Sequence, residues 1–217
     1  GESDMDVLGG LESGEKFRLN INGLPYDVEL PYVRIPSRGG TLKIASLNLV
    51  GQIRLNADLG RLLGQKIQEI VPDLSKIAIL TVVEKALQLT QVAAAEIGID
   101  AVAVAYNRVK PHMEADRRPV IQIGSDSITS GRKFLAIYER DMNLLARAEG
   151  FVLIDDVVST GGTLLGMADL LEEVLRSKQL PPPLIHGIFC VATEGDNPPL
   201  MPAPVYSLTT LPKPVLE

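Results

Sequence analysis

The segment Phe151–Thr163, FVLIDDVVSTGGT, sets the tightest limit on what this chain can fold into. FVLIDDVV is rich in β-branched and apolar residues, the mark of a strand buried on both faces. It carries two acids to its carboxyl end, where open α/β sheets bind their ligands. Ser159, Thr160, Gly161, Gly162 and Thr163 then turn the chain into a helix. Leu164, Leu165, Met167, Ala168, Leu170, Leu171, Val174 and Leu175 give that helix its apolar positions.

The rest of the chain repeats this alternation. IAILTVV (77–83), AVAVAY (101–106) and LIHGIFCVAT (184–193) read as buried strands. Asn56 reads as the cap of a helix starting at Ala57, with Leu59, Leu62, Leu63, Ile67 and Ile70 on one face. QVAAAEIG (91–98) reads as a short helix closed by Gly98. Strands alternating with helices imply parallel pairing, so the expected fold is α/β, with a central, mostly parallel twisted sheet flanked by helices.

A small N-terminal β-hairpin hood precedes this core. KFRLNI and YDVELPYVRI alternate apolar and polar residues around an Asn22-Gly23 turn. Pro31 points to an edge position for the second strand. SRGGTLKIASLNLVG adds a further turn and strand. The charged, proline-bearing segment NRVKPHMEADRRP (107–119) reads as a mobile loop. VIQIGSDSITSGRKFLAIY reads as a hairpin, and Leu144 and Leu145 sit on a short helix before Gly150. The tail holds six prolines after Gly195 and one strand, VYSLTT. The expected organisation is a disordered tail at 1–14, a hood and N-terminal strands at 15–55, and a core at 56–217 whose last residues return to the hood.

Composition narrows the function. Hydrophobic residues make up 46% and Trp is absent, so the core is aliphatic. The net charge is −6 with no Lys/Arg cluster, which argues against a nucleic-acid partner. The single cysteine, Cys190, excludes an internal disulfide and a Cys-rich zinc site and fits a reduced, cytoplasmic setting. No apolar run approaches the ~20 residues of a membrane span. The N-terminal residues lack the pattern of a signal peptide.

The chemistry concentrates at Asp155–Thr163. A helix N-terminus exposes unpaired N–H groups and suits a phosphate, and glycines let the backbone approach it. Thr160 and Thr163 add hydroxyls. Asp155 and Asp156 repel phosphate, but they accept hydrogen bonds from sugar hydroxyls or hold Mg²⁺ through water. An acidic spot beside an anion cradle matches ribose 5-phosphate. No Lys follows the glycines, so the Walker pattern of ATPases is absent.

These residues resemble the phosphoribosyl-diphosphate (PRPP) signature of type I phosphoribosyltransferases. Other segments are similar in order and spacing: LTVVEKALQLTQVAAAEIG (80–98) to the pyrophosphate loop and its helix, AVAVAYNRVKPHM to the strand that ends in a basic pair, and residues 24–55 to the start of adenine phosphoribosyltransferase-like proteins. The resemblance implies the type I phosphoribosyltransferase fold. It implies that Asp155 and Asp156 take the ribose and that Val157, Val158, Ser159, Thr160, Gly161, Gly162 and Thr163 surround its 5-phosphate. Glu84, Lys85, Ala86, Arg108 and Lys110 are implied on the pyrophosphate side. Lys110 and Glu114 join Asp155 and Asp156 as implied catalytic residues, with the loop around 107–119 as a lid. The implied cofactor is Mg²⁺, held by Asp155 and Asp156 through water. The implied partners are PRPP, a nucleobase or nucleotide, and a second copy of the chain as a homodimer.

The departure lies at Tyr106-Asn107, where the family pattern has Arg-Lys. The leading expectation is a purine-type, adenine-like phosphoribosyltransferase; the alternative is a non-catalytic PRPP- or nucleotide-binding regulatory protein. Leu24, Pro25 and Tyr26 of the hood are the expected wall for the base, with SLTTLP of the tail beside them. His112 reads as a loop residue, His186 as a core histidine and Cys190 as a small buried hydrophobe.

Overall fold

The computed structural model of the chain describes residues 5–6, 14–108, 121–123 and 134–217. The central sheet is entirely parallel. From one edge it runs β6 (Ala103–Ala105), β5 (Ile77–Val82), β9 (Gly150–Ile154), β11 (Ile185–Glu194) and β12 (Val205–Leu211). A two-residue strand, β10 (Val157–Val158), also pairs with β11, in register with Ala192 and Thr193. The aliphatic run at 151–158 is therefore two strands, interrupted at Asp155-Asp156.

Alternation along the strands sorts side chains between two cores. Phe151 and Leu153 of β9, with Ala78, Leu80 and Val82 of β5, face one side. There they meet α3 (Glu139–Ala146) and α4 (Gly162–Ser177). Val152, Ile154 and Ile79 face the other side, against α1 (Ile53–Ile70) and α2 (Leu87–Glu96). Burial on both faces explains why these strands read as continuous apolar runs.

The helices α1 and α2 pack closely through two glycines. A β-carbon built on Gly60 would collide with the Cβ of Val92, and one on Gly64 would stand 2.8 Å from the Cβ of Glu96. Helix α1 starts four residues before the expected point, and Asn56 does not cap it. Gln52 holds the cap position, with no side-chain hydrogen bond that caps the helix. Asn56 is 4% exposed, and its Nδ2 donates to the carbonyls of Leu49 (2.7 Å) and Gln52 (2.8 Å), tying the incoming loop to the first turn. Helix α2 likewise begins earlier than expected, at Leu87; it ends at Glu96 and is closed two residues on by Gly98, whose φ of 75° suits a residue without Cβ.

The hood is antiparallel apart from its first strand. β3 (Val28–Ser37) pairs with β2 (Lys16–Leu19) along its first half and with β4 (Gly40–Ala45) along its second. β1 (Met5–Asp6) lies parallel to the start of β3. The expected edge position of the Pro31 strand is not found, since β3 is central in its sheet. Pro31 instead sits where β3 changes partners, opposite Lys16, with Tyr32 already opposite Ala45. A missing N–H is tolerated at such a switch. β13 (Val215–Leu216) returns to pair with β4. The hairpin expected over 120–138 is present in its described parts, β7 (Ile121–Ile123) against β8 (Leu135–Ile137). No helix among the described residues is long and apolar enough to cross a membrane.

Candidate functional site

The two acids are placed by backbone hydrogen bonds at the carboxyl end of the sheet. The Asp155 N–H donates to the Phe189 carbonyl at 3.1 Å, so the ladder with β11 continues past the last residue of β9. The Asp156 N–H donates to Asp155 Oδ1 at 2.8 Å, which fixes the orientation of that carboxylate. Asp156 is only 8% exposed. Its carbonyl accepts from both Val191 (2.9 Å) and Ala192 (3.3 Å).

The loop that follows is shaped for an anion. Gly161 has a φ of 84° and takes the cap position of α4. The Leu165 N–H reaches the Gly161 carbonyl at 2.9 Å and starts the helix. The Gly162 N–H points to Thr160 Oγ1 at 3.4 Å. Asp155 and residues 157–164 line a hollow of about 30 Å³ around this helix start. The helix is 16 residues long, and its dipole and unpaired N–H groups favour negative charge there.

A larger cavity of about 450 Å³ adjoins the hollow and shares Asp155, Val157, Ser159 and Thr163 with it. Asp156 lines it too. Its second wall is the turn after β5, with Val82, Val83, Glu84 and Lys85. The Val83–Glu84 peptide is cis. Thr81 Oγ1 donates to the Ile154 carbonyl at 2.9 Å and locks β5 beside the acids. The third wall is apolar and comes from Val33, Ile35, Ile44 and Leu47 of the hood, with Leu211 of β12.

Several sequence expectations change here. Ala86 does not line the cavity; it is 1% exposed and takes the cap position of α2. Arg108 is exposed and lies outside the cavity lining. Lys110 and Glu114, with His112 and most of the expected lid, lie outside the described residues. Of the departing pair, Asn107 lines the cavity, whereas Tyr106 bridges to Ala136 by two 2.8 Å backbone bonds and sets its ring edge-on to Tyr138. Burial pushes the Tyr106 phenol above its ordinary range. Among the described residues, Lys85 is the only cationic side chain in the cavity wall.

The base wall expected at Leu24, Pro25 and Tyr26 is also corrected. Tyr26 is 5% exposed, and its hydroxyl donates to Asp58 Oδ2 at 2.6 Å, with the Arg54 guanidinium 4.3 Å from its ring centroid. Leu24 packs into the core beneath the hood. The strands on either side of the 37–40 turn supply the apolar wall instead. His186 is half-buried and lies over Gly150; it is not a core residue. Cys190 is buried, and burial pushes its thiol well above the ordinary range. Glu194, unnoticed in the sequence, lines the cavity beside Leu211.

The donor set fits a loosely held Mg²⁺. Among the described residues no group of three or more His, Cys, Asp or Glu side chains converges as a metal cage. Asp155 and Asp156 offer two carboxylates at the cavity edge. That suits an ion that keeps its waters and takes its other oxygens from a phosphorylated ligand.

The family described as "Phosphoribosyl transferase domain" matches residues 48–176, more than half of the chain. The fold is similar to adenine phosphoribosyltransferase from Thermoanaerobacter pseudethanolicus, with a TM-score of 0.52 at 16% identity over 83% of this chain and 95% of that one. It is similar to the Trypanosoma brucei adenine phosphoribosyl transferase solved with AMP, pyrophosphate and ribose-5-phosphate, with a TM-score of 0.51 at 16% identity over 90% and 76%. The Leishmania donovani adenine phosphoribosyltransferase gives 0.50 at 14% identity over 82% and 76%. At these identities the likeness establishes the fold. No curated protein sequence matches.

Proposed function

The chain belongs to the phosphoribosyl transferase domain family, and from that membership we propose that it moves ribose 5-phosphate from PRPP to a purine-type, adenine-like base and releases pyrophosphate. One observation carries this reading. The acidic pair Asp155-Asp156 stands between an anion-shaped helix start and a cavity with an apolar wall. Phosphate, ribose and base have that same order in a nucleotide. The Trypanosoma brucei protein of similar fold holds AMP, pyrophosphate and ribose-5-phosphate, the species such a reaction handles.

In this reading the loop from Val157 to Thr163 holds the 5-phosphate through N–H groups and hydroxyls. Asp155 and Asp156 accept hydrogen bonds from the ribose hydroxyls and fix the sugar for attack at C1. Departure of pyrophosphate leaves an oxocarbenium-like sugar, so positioning and charge neutralisation govern the rate. Lys85 faces the leaving group from the second wall. Bound Mg²⁺ would neutralise part of the pyrophosphate charge, with Asp155 and Asp156 holding its waters. Val33, Ile35 and Ile44 cover the faces of the base and exclude water.

The second reading is a regulatory protein that binds PRPP or a nucleotide without turning it over. Asn107 in the cavity wall supports it, because a neutral amide stands where the family pattern has a cation. Incubation with PRPP, Mg²⁺ and a panel of bases, followed by pyrophosphate release, separates the two. Turnover with a purine supports the enzyme. PRPP binding without release for any base rejects it in favour of the second reading.

A further inference from the structure

Strand β11 loses its alternation next to the site. Ile188 and Cys190 face the core under α3 and α4, while Phe189 and Val191 face the core under α1 and α2. Strict alternation would send Ala192 to the first of these cores. It follows Val191 into the second. The break coincides with the carbonyl of Asp156, which accepts from Val191 and Ala192 in succession where β9 gives way to β10, while the register against β11 stays the same. Beyond the break, Glu194 shares the face of Ala192 and lines the cavity, in register with Leu211.

Glu194 has no other employment among the described residues. Burial is the sole influence on its carboxyl, with no hydrogen bond or neighbouring charge to offset it, and it raises the group above the usual carboxylate range. A ligand donor is therefore worth more to this carboxyl than to a solvated one. Pyrophosphate repels it, and the ribose hydroxyls already have Asp155 and Asp156. The remaining polar feature of a bound nucleotide is the edge of its base, whose faces lie against the apolar wall.

Resting on the reading of the cavity as a nucleotide site, we propose that Glu194 is the specificity-determining residue, accepting a hydrogen bond from an exocyclic amino group and rejecting a base that presents a carbonyl oxygen there. A carboxylate only accepts. Opposite an amino group it forms a charge-assisted bond. Opposite a carbonyl, two acceptors meet in a desolvated site and both stay unpaired, which sites of this kind penalise strongly.

The test is equilibrium binding of AMP, IMP and PRPP to the full chain, as wild type, Glu194→Gln and Glu194→Ala. Wild type is expected to prefer AMP. Glu194→Gln, whose amide can donate to a carbonyl oxygen, should cut the AMP-to-IMP affinity ratio at least tenfold and leave PRPP affinity unchanged. Glu194→Ala should weaken AMP without strengthening IMP, a pattern that unfolding cannot mimic while PRPP still binds. A wild-type preference for IMP, or an unchanged ratio in both variants with PRPP binding intact, overturns the role of Glu194 alone. Failure of the wild type to bind PRPP overturns the site reading and this inference together.

Discussion

Met201 lies directly against the backbone of Gly161, so that a β-carbon built on the glycine would collide with the methionine's terminal methyl. Pro199 closes the same side, 3.1 Å from that position. The proline-rich segment before β12 thus braces the anion loop from outside. A methionine terminus moves aside readily, so sterics alone would tolerate a small side chain. The backbone would not: Gly161 holds a φ of 84°, which costs an alanine roughly 1–2 kcal/mol. Gly161→Ala should therefore weaken PRPP binding at least fivefold, and adding Met201→Ala should not rescue it. Calorimetric titration with PRPP checks both variants; rescue by the second substitution would mean that contact, not φ, governs the loop.

Asp155 and Asp156 should contribute unequally. Each loses a charged acceptor on conversion to Asn, worth ~1.5–3 kcal/mol per hydrogen bond to a charged group, or about tenfold or more in PRPP affinity. Asp155→Asn also disturbs the acceptor of the 2.8 Å bond from the Asp156 N–H, so it should lower the melting temperature as well. Replacing both by Ala should abolish PRPP binding. Affinity equal to wild type in the double variant would remove the ribose from this position.

The readable parts of this fold are those whose determinants are adjacent in sequence. Strand, acids, glycine loop and helix at 151–177 are contiguous, so this strand–loop–helix unit was legible from one stretch. The apolar wall of the cavity was not. It comes from Val33, Ile35 and Ile44, whose place depends on how the hood folds over the sheet. Tyr26 looked like a stacking residue because its partner, Asp58, is 32 positions away on α1. Asn56 looked like a cap because its type favours caps, yet its amide serves the carbonyl of Leu49. The break in β11 leaves no trace in GIFCVA, where apolar residues occupy both faces and no polar residue marks the phase.

The contact between α1 and α2 offers a stability test away from the site. Gly60→Ala gains up to ~1 kcal/mol of helix propensity. It also drives a β-carbon into the branched Cβ of Val92, which is fixed to the helix backbone and has no room to yield. Overpacking of this kind costs ~1–3 kcal/mol, so the net change should be destabilising. Urea denaturation should show a lower midpoint at an unchanged slope, and a rise in the midpoint would show that the helices can separate without loss.

Asn107 gives a gain-of-function test. It lines the cavity among the described residues, where Lys85 is the only cation. Asn107→Lys places a second positive charge near the leaving group. The attraction between unit charges about 4 Å apart lies between ~1 and 4 kcal/mol for water-like to half-buried surroundings. PRPP should bind at least fivefold more tightly, and the gain should shrink with added salt. An unchanged affinity at low salt would place the pyrophosphate elsewhere.

Glu194 carries a pH signature that needs no ligand. Burial raises its carboxyl in the folded chain above its unfolded value, so folding favours the protonated form. Its favourable contribution is full below the unfolded value and is lost as pH rises through the folded one; above that, the fold bears a desolvated charge. Glu194→Gln removes the charge and keeps the shape. The variant should therefore melt above wild type at pH 7–8, with the difference closing as pH falls toward 4. Melting temperatures across that series check the sign. A difference that grows toward acid would mean that the carboxylate is stabilised in the fold by a partner, and that its shift runs opposite to the one burial produces.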